Sequence, residues 1–177
     1  MNLKTLEYAN LVHVEELRRL EDKILVVDEI FDILKRAYSS VKGGLHFKSK
    51  DDLLLSTDLW RIIYIDTEPI GVLIYKAKFG LKMVALGVSD IYRKEAKTIL
   101  ARILRETLSR TWMEVSEGME RFMLKIGCEK FFVPNIFVAQ LTKKSIIKLC
   151  DDGYHYIREI NGIPKRKVIV GFPKFIE

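Results

Sequence analysis

Glu114 stands between two apolar residues, Met113 and Val115, in a short run that reads as a strand. A mid-strand carboxylate with such neighbours has its pKa pushed up when buried, which suits it to accept a proton near neutrality. Further on, Tyr154, His155 and Tyr156 follow one another in a second strand-like run. Alternation puts the two tyrosines on one face and the histidine on the other. The imidazole can take a proton at neutral pH. Arg158 can fix an anionic substrate group. Each of these residues also has a plain structural role open to it: Glu114 and Arg158 in salt bridges, the tyrosines in packing. A third set lies where a strand passes into an apolar helix, at Val88-Ser89-Asp90-Ile91-Tyr92-Arg93-Lys94-Glu95-Ala96-Lys97-Thr98-Ile99-Leu100. Arg93, Lys94 and Lys97 put positive charge at the end of a helix whose dipole favours anions.

Other chemistries lack their spacing. His13, His46 and His155, with the distant Cys128 and Cys150, form no His-x-x-x-His or Cys-x-x-Cys pair, so no metal is expected. The two cysteines read as buried thiols. Ser116 lacks the Gly-x-Ser-x-Gly setting of an activated serine. No Gly-x-x-x-x-Gly-Lys loop or dinucleotide fingerprint is present. Trp60, Trp112, Tyr64 and Tyr75 read as strand aromatics of a core.

The chain has 177 residues, 49% apolar and 31% charged, which suits one globular domain with a real core. No window approaches 18 consecutive apolar residues, so no membrane span or membrane partner is expected. Met1 to Leu11 lacks the pattern of a signal peptide. With only two cysteines, a reduced, cytoplasmic setting is the expectation. Net charge is +6, and most of it lies between Thr142 and Lys174, where eight Lys/Arg stand against three acids. Lys143 and Lys144 form one cluster and Lys165, Arg166 and Lys167 another, flanking the Tyr154–Ile160 run. A closing strand pair would bring Lys165 to Lys167 back near Arg158 and make one positive surface. Such a surface suits nucleic acid or another phosphate-bearing partner, or serves solubility alone.

These residues need elements to hold them. Tyr8 to Leu25 has apolar residues at helical steps (Leu11, Val14, Leu17, Leu20, Ile24). Asp28 is a candidate N-cap for a second helix, stopped by Gly43-Gly44. Ser49, with Asp51 and Asp52 behind it, opens a short third helix. Trp60 to Asp66, Ile70 to Lys78 and Lys82 to Ser89 read as three strands of an antiparallel meander. A helix is predicted from Arg93 to Ser109, a strand over Trp112 to Val115, and a helix from Glu117 to Ile126 ended by Gly127. Cys128 to Phe132 is a brief strand. Gly153 to Ile160 and Lys167 to Phe172 form a closing pair joined by Asn161-Gly162-Ile163-Pro164. Strands in a run, not in strict alternation with helices, argue for α+β with a mostly antiparallel sheet.

The strand followed by Tyr-Arg-x-x-small-x-small and an apolar helix resembles the pyrophosphate loop of the GNAT superfamily of N-acetyltransferases. The usual pattern there is Gln/Arg-x-x-Gly-x-Gly/Ala, and this chain has Arg93-x-x-Ala96-x-Thr98. Both glycine-type positions therefore carry a side chain. The element order from about Asp28 to Phe172 also follows that superfamily. The segment Leu141-Thr142-Lys143-Lys144-x-Ile146, with Asp152-Gly153-Tyr154-His155-Tyr156-x-Arg158-x-Ile160-x-Gly162, is similar to tails of GNAT-like proteins of tailed bacteriophages. The resemblance implies a helical extension over residues 1–27 and a GNAT-like domain over 28–177, with a mixed sheet flanked by helices. It implies acetyl-CoA or another acyl-CoA as cosubstrate, with Val88, Arg93, Lys94, Ala96, Lys97 and Thr98 at its pyrophosphate. It implies Glu114 as the base for a primary amine, and Tyr154 or Tyr156 as the acid for the thiolate. The acceptor amine stays open between protein, small molecule and nucleobase. A binding protein of the same fold, without catalysis, is the alternative. It would hold nucleic acid or a host protein through Arg158, Lys165, Arg166 and Lys167.

Overall fold

The computed structural model describes residues 12–41, 43–106, 111–133, 146–160 and 162–172. The chain divides into two compact units, Met1–Thr107 and Leu108–Glu177.

In the first unit, β1 (Val12–Leu17) is followed by three helices, α1 (Leu20–Ile24), α2 (Val27–Ala37) and α3 (Lys50–Leu55). Then come β2 (Leu59–Ile65), β3 (Glu68–Ala77), β4 (Leu81–Val88) and helix α4 (Ala96–Glu106). The strands pair antiparallel in the order β1-β2-β3-β4, so the predicted meander is present with one more strand on its edge. That strand corrects the helix expected over Tyr8 to Leu25. Val12 to Leu17 runs along β2 in register from Val12 opposite Ile65 to Leu17 opposite Trp60. Pairing buries Val12 and Leu17, whereas Leu20 and Ile24, which complete the helical stripe, are exposed in the short α1. Asp28 is not a cap either: it lies in the first turn of α2, behind Val26 at the N-cap. Ser49 does cap α3, its hydroxyl accepting from the Asp52 N–H at 3.0 Å, while Asp52 Oδ2 accepts from the Lys48 N–H at 3.1 Å.

The core of this unit is one face of the sheet under α2. Ile30, Ile33 and Leu34 of α2 pack with Trp60, Ile62, Val72, Ile74 and Ala85. Contact is closest at Gly87, where a Cβ would lie 3.0 Å from the Ala37 Cβ. The absence of a side chain there lets the end of α2 rest on β4 just before the turn into α4. Between Ala85 and Met83, which face Ile74 and Tyr75, Val84 is an extra residue that bulges β4.

In the second unit, β5 (Thr111–Ser116) leads directly into α5 (Glu117–Lys125). Three more strands, β6 (Glu129–Phe131), β7 (Ile146–Leu149) and β8 (His155–Ile160), precede the closing strand β9 (Ile163–Gly171). β9 is central. β5 pairs with it antiparallel from Trp112 opposite Gly171 to Ser116 opposite Lys167. β8 pairs from His155 opposite Val168 to Ile160 opposite Ile163, and β6 takes Ile169 to Gly171. β7 pairs with β8. The closing strand starts four residues earlier than predicted, because the turn is tight. Gly162 has φ +77°, and Pro164 already lies in the strand opposite Glu159. One sheet face carries Trp112, Tyr156 and Ile169, with Phe131 and Val133 packed on them. Gly127, at φ +112°, turns the chain out of α5 as expected. Among the described residues, no helix is long and apolar enough to cross a membrane.

Candidate functional site

The candidate anion-binding segment belongs to the first unit. β4 ends at Val88, and the chain does not enter a helix at Arg93. Asp90–Tyr92 form a 3-10 turn instead. The Tyr92 N–H donates to Ser89 O at 2.9 Å, the Arg93 N–H to Asp90 O at 3.2 Å and the Glu95 N–H to Tyr92 O at 3.0 Å. This corrects the helix predicted from Arg93, and the amides of Arg93 and Glu95 are spent within the turn. Helix α4 begins at Ala96, and Ile99 is the first residue to bond back, to Glu95 O at 3.0 Å. Ala96, Lys97 and Thr98 therefore supply the N-terminal donors that an α-helix leaves without an acceptor in its own ladder. Arg93, Lys94 and Lys97 are exposed around them, while Val88, Ala96 and Thr98 are half-buried.

The charge at this helix start is unusual within the protein. α1, α2, α3 and α5 all carry acids in the first turn: Glu21 and Asp22, Asp28 and Glu29, Asp51 and Asp52, Glu117 and Glu120. α4 carries none and has Lys97 there. A cation at the positive end of the helix dipole is unfavourable in isolation and becomes favourable once an anion sits between them. The β4 backbone leading to this turn is pinned by Tyr38, whose hydroxyl accepts from the Leu86 N–H at 3.2 Å. Burial pushes the Tyr38 hydroxyl pKa up, so it stays protonated. Nothing local in the sequence marks Tyr38 for this contact, which spans 48 residues.

The candidate acid–base group belongs to the second unit. Glu114 lies opposite Ile169 on β9, and its side chain is 7% exposed. Its sequence neighbours Met113 and Val115 alternate onto the opposite face, and the apolar residues beside it are Ile169 across the strand pair and Trp112 and Tyr156 on its own face. Glu114 accepts from the Tyr156 hydroxyl at 2.6 Å and from Arg158 Nη1 at 2.8 and 2.6 Å, one bond to each oxygen. The three residues picked out by spacing thus meet across β9, but as one locked group. Arg158 neutralises the carboxylate. Tyr156 is fully buried, and burial, with the Glu114 charge second, drives its pKa far up. Its hydroxyl keeps its proton and donates it in the bond to Glu114, which makes it a poor acid for a departing thiolate. Tyr154 is elsewhere, in the turn before β8. Its ring stacks on Phe132 at 4.0 Å with Lys130 Nζ 5.3 Å away, and its N–H bonds Asp152.

His155 points to the other face, as alternation requires, and is held there. Its Nδ1 lies 2.5 Å from Asp152 Oδ2 and its Nε2 3.1 Å from Glu120 Oε2 on α5. With a carboxylate on each ring nitrogen it serves to tie α5 to β8, not as an available base. Asp152 also accepts from the His155 and Tyr154 N–H groups, and these bonds hold its carboxyl well below the usual range. Sequence reasoning missed Glu120 and Asp152; the Asp152-Gly153 turn pair ahead of His155 was the one available signal. Cys128 is buried, which pushes its thiol up to about 12 and leaves it unreactive.

The expected single basic surface is divided. Lys165 lies opposite Arg158 and Lys167 opposite Tyr156, on the Glu114 face. Arg166 alternates to the other face, where it meets Glu117 at 3.3 Å and Asp152 at 3.5 Å. Lys143 and Lys144 lie outside the described residues.

No protein-family model matches the chain, and no curated protein matches it by sequence. Solved structures do match. An IAA acetyltransferase from Bacillus cereus is 14% identical, over 91% of this chain and 98% of its own, with a TM-score of 0.50. A Bacillus subtilis acetyltransferase, solved in complex with CoA, is 14% identical over 90% and 96%, at 0.51. A probable acetyltransferase of the GNAT family from Chromobacterium violaceum is 9% identical over 90% and 86%, at 0.50. The fold is therefore the α+β fold of GNAT acetyltransferases, a mostly antiparallel mixed sheet flanked by helices. At such identities the likeness is one of fold, and function has to be argued from the residues.

Proposed function

We propose that the protein is an acyl-CoA-dependent N-acyltransferase, in the first instance an N-acetyltransferase, acting on a primary amine. The observation that carries this is the start of α4, where the amides of Ala96, Lys97 and Thr98 lie beside Arg93, Lys94 and Lys97, with no acid in the first turn of the helix itself and Glu95 just ahead of it. Those groups fit a diphosphate. Ala96 and Thr98 replace the glycines usual in such loops, and the Thr98 hydroxyl can donate to a phosphate oxygen in compensation. The cosubstrate supplies a thioester whose carbonyl carbon the amine attacks. A C–N bond forms, the C–S bond breaks, and the thiolate leaves. Glu114 takes the amine proton, directly or through one water. Tyr156 acts as a positioning residue for Glu114. Tyr154, partly exposed, is the tyrosine assigned to protonate the thiolate. The likeness of the Asp152–Gly162 segment to phage proteins supports a phage-encoded enzyme working in a cytoplasm that contains acyl-CoA.

Thermal unfolding with and without acetyl-CoA tests the cosubstrate. At 100 times its dissociation constant, acetyl-CoA should add about 2.7 kcal/mol. For a chain of this size that raises Tm by roughly 5–10 °C. An unchanged Tm with millimolar acetyl-CoA would remove the transferase reading.

A further inference from the structure

A neutral imidazole has one N–H and one bare nitrogen, yet His155 has a carboxylate at both positions. We propose that His155 is a proton-operated latch: as the imidazolium it joins α5 to the turn before β8, and on losing one proton it lets α5 go. The latch does not depend on the transferase reading, because His155 lies on the face of the second unit opposite Glu114.

The two ends of the ring are held differently. Nδ1 lies 2.5 Å from Asp152 Oδ2, and Nε2 lies 3.1 and 3.2 Å from the two oxygens of Glu120. Asp152 is fixed independently of the ring, because its Oδ1 accepts the Tyr154 and His155 N–H groups, both at 2.9 Å. Those bonds, the His155 N–H first, hold its carboxyl well below the usual range, so it stays an anion in acid. Glu120 has an alternative. Its side chain is 18% exposed, and Lys130 Nζ on β6 stands 3.8 Å from its Oε1. Loss of a proton therefore takes one course. Nδ1 keeps its hydrogen in the shorter bond to the fixed Asp152. Nε2 is left bare against two carboxylate oxygens, acceptor facing acceptor. Glu120 then turns to Lys130 and water. Arg166 on β9 also bridges the two elements, at 3.3 Å from Glu117 and 3.5 Å from Asp152. Its side chain is 44% exposed and that of Glu117 67%, so this bridge contributes little. Cys150 meets His155 through the main chain, its N–H donating to the His155 carbonyl, and Lys148 lies opposite Ile157 on the far side of β8. Apart from the latch, α5 is anchored by Met123 and, at its C-cap, Ile126. An imidazole changes charge between about pH 5 and 8. The latched state is the one that carries the extra proton. The latch is therefore closed on the acid side of that range and opens as pH rises through it.

Hydrogen exchange of the full chain at about pH 6 and about pH 8.5, corrected for the intrinsic rate at each, tests this. Protection of the α5 amides from Arg121 to Lys125 is expected to fall about tenfold at the higher pH, the size of one lost hydrogen bond to a charged group. The α4 amides from Leu100 to Glu106 should keep theirs. Nitrogen-resolved NMR of the histidine rings should show a proton on both His155 nitrogens at the lower pH and on Nδ1 alone at the higher. Glu120→Gln alters a partly exposed side chain, so the fold should stand. Its amide serves either form of the ring, offering oxygen to an N–H and NH2 to a bare nitrogen. Protection of α5 in this variant should be the same at both pH values. Equal protection of α5 at the two pH values in the wild type, a pH effect that survives Glu120→Gln, or a ring that gives up the Nδ1 proton first would overturn the latch. So would a loss shared equally by α4, which is unfolding of the whole chain and not release of one helix.

Discussion

Arg158→Met is expected to destabilise the protein by about 3–5 kcal/mol, because it strands a carboxylate that is only 7% exposed. The size comes from what is left behind, not from the net strength of the pair. Two charges brought out of water recover little more than their desolvation, but one charge without its partner recovers nothing. Tyr156 cannot compensate, since it already donates to Glu114. Urea unfolding followed by tryptophan fluorescence is a suitable probe, because Trp112 packs against Tyr156 and Ile169 in the same cluster. Arg158→Met combined with Glu114→Gln should recover much of the loss, since the neutral amide needs no counter-charge. A loss below about 1 kcal/mol in the single variant would mean that the pair behaves as an exposed surface bridge.

Thr98→Glu is expected to abolish coenzyme A binding, by a factor above 100, while leaving the fold intact. The glutamate would place a negative charge among the three amides assigned to the diphosphate, at the residue that closes the first turn of α4. For the helix itself the same charge is favourable, worth about 0.3–1 kcal/mol at a surface site. The two effects therefore have opposite signs, which distinguishes loss of a site from loss of structure. Equilibrium titration with coenzyme A measures the first and thermal unfolding the second. Unchanged affinity in a stable variant would move the cosubstrate away from α4.

The parts of the fold legible in the sequence are those whose signals are local. β2, β3 and β4 follow from runs rich in Ile, Val and Tyr broken at Asp66-Thr67 and Phe79-Gly80, where Asp66 and Phe79 adopt positive φ. The Ser49 cap is written in four residues. β1 was illegible because Val14, Leu17 and Leu20 fit a helical period equally well, and only pairing with β2 decides between the two. The start of α4 was misplaced for a related reason: Tyr92 and Arg93 suit a helix, but Ser89 and Asp90 begin a tight turn that takes their amides. Glu114, Tyr156 and Arg158 were legible as residues that matter, and the structure brings them together. Their mutual bonding was not, since it needs the order β5-β9-β8, which places a late strand between two earlier ones. The division of Lys165, Arg166 and Lys167 between two faces follows from alternation as soon as β9 is known to start at Ile163. Assigning Pro164 to the loop concealed it. Tyr38 on Leu86 and Glu120 on His155 are contacts of tertiary structure with no local trace.

The central claim is transfer of an acyl group to an amine, and mass spectrometry of reactions containing protein, acetyl-CoA and each of a panel of primary amines tests it most directly. Free coenzyme A and the N-acetyl amide should appear in equal amounts. Glu114→Gln should slow both by about 10²–10⁴-fold, the usual contribution of a general base, with the variant still binding acetyl-CoA. Acetyl-CoA that stays intact beside the wild-type protein with every primary amine offered, or that is lost without any amide forming, would contradict the assignment.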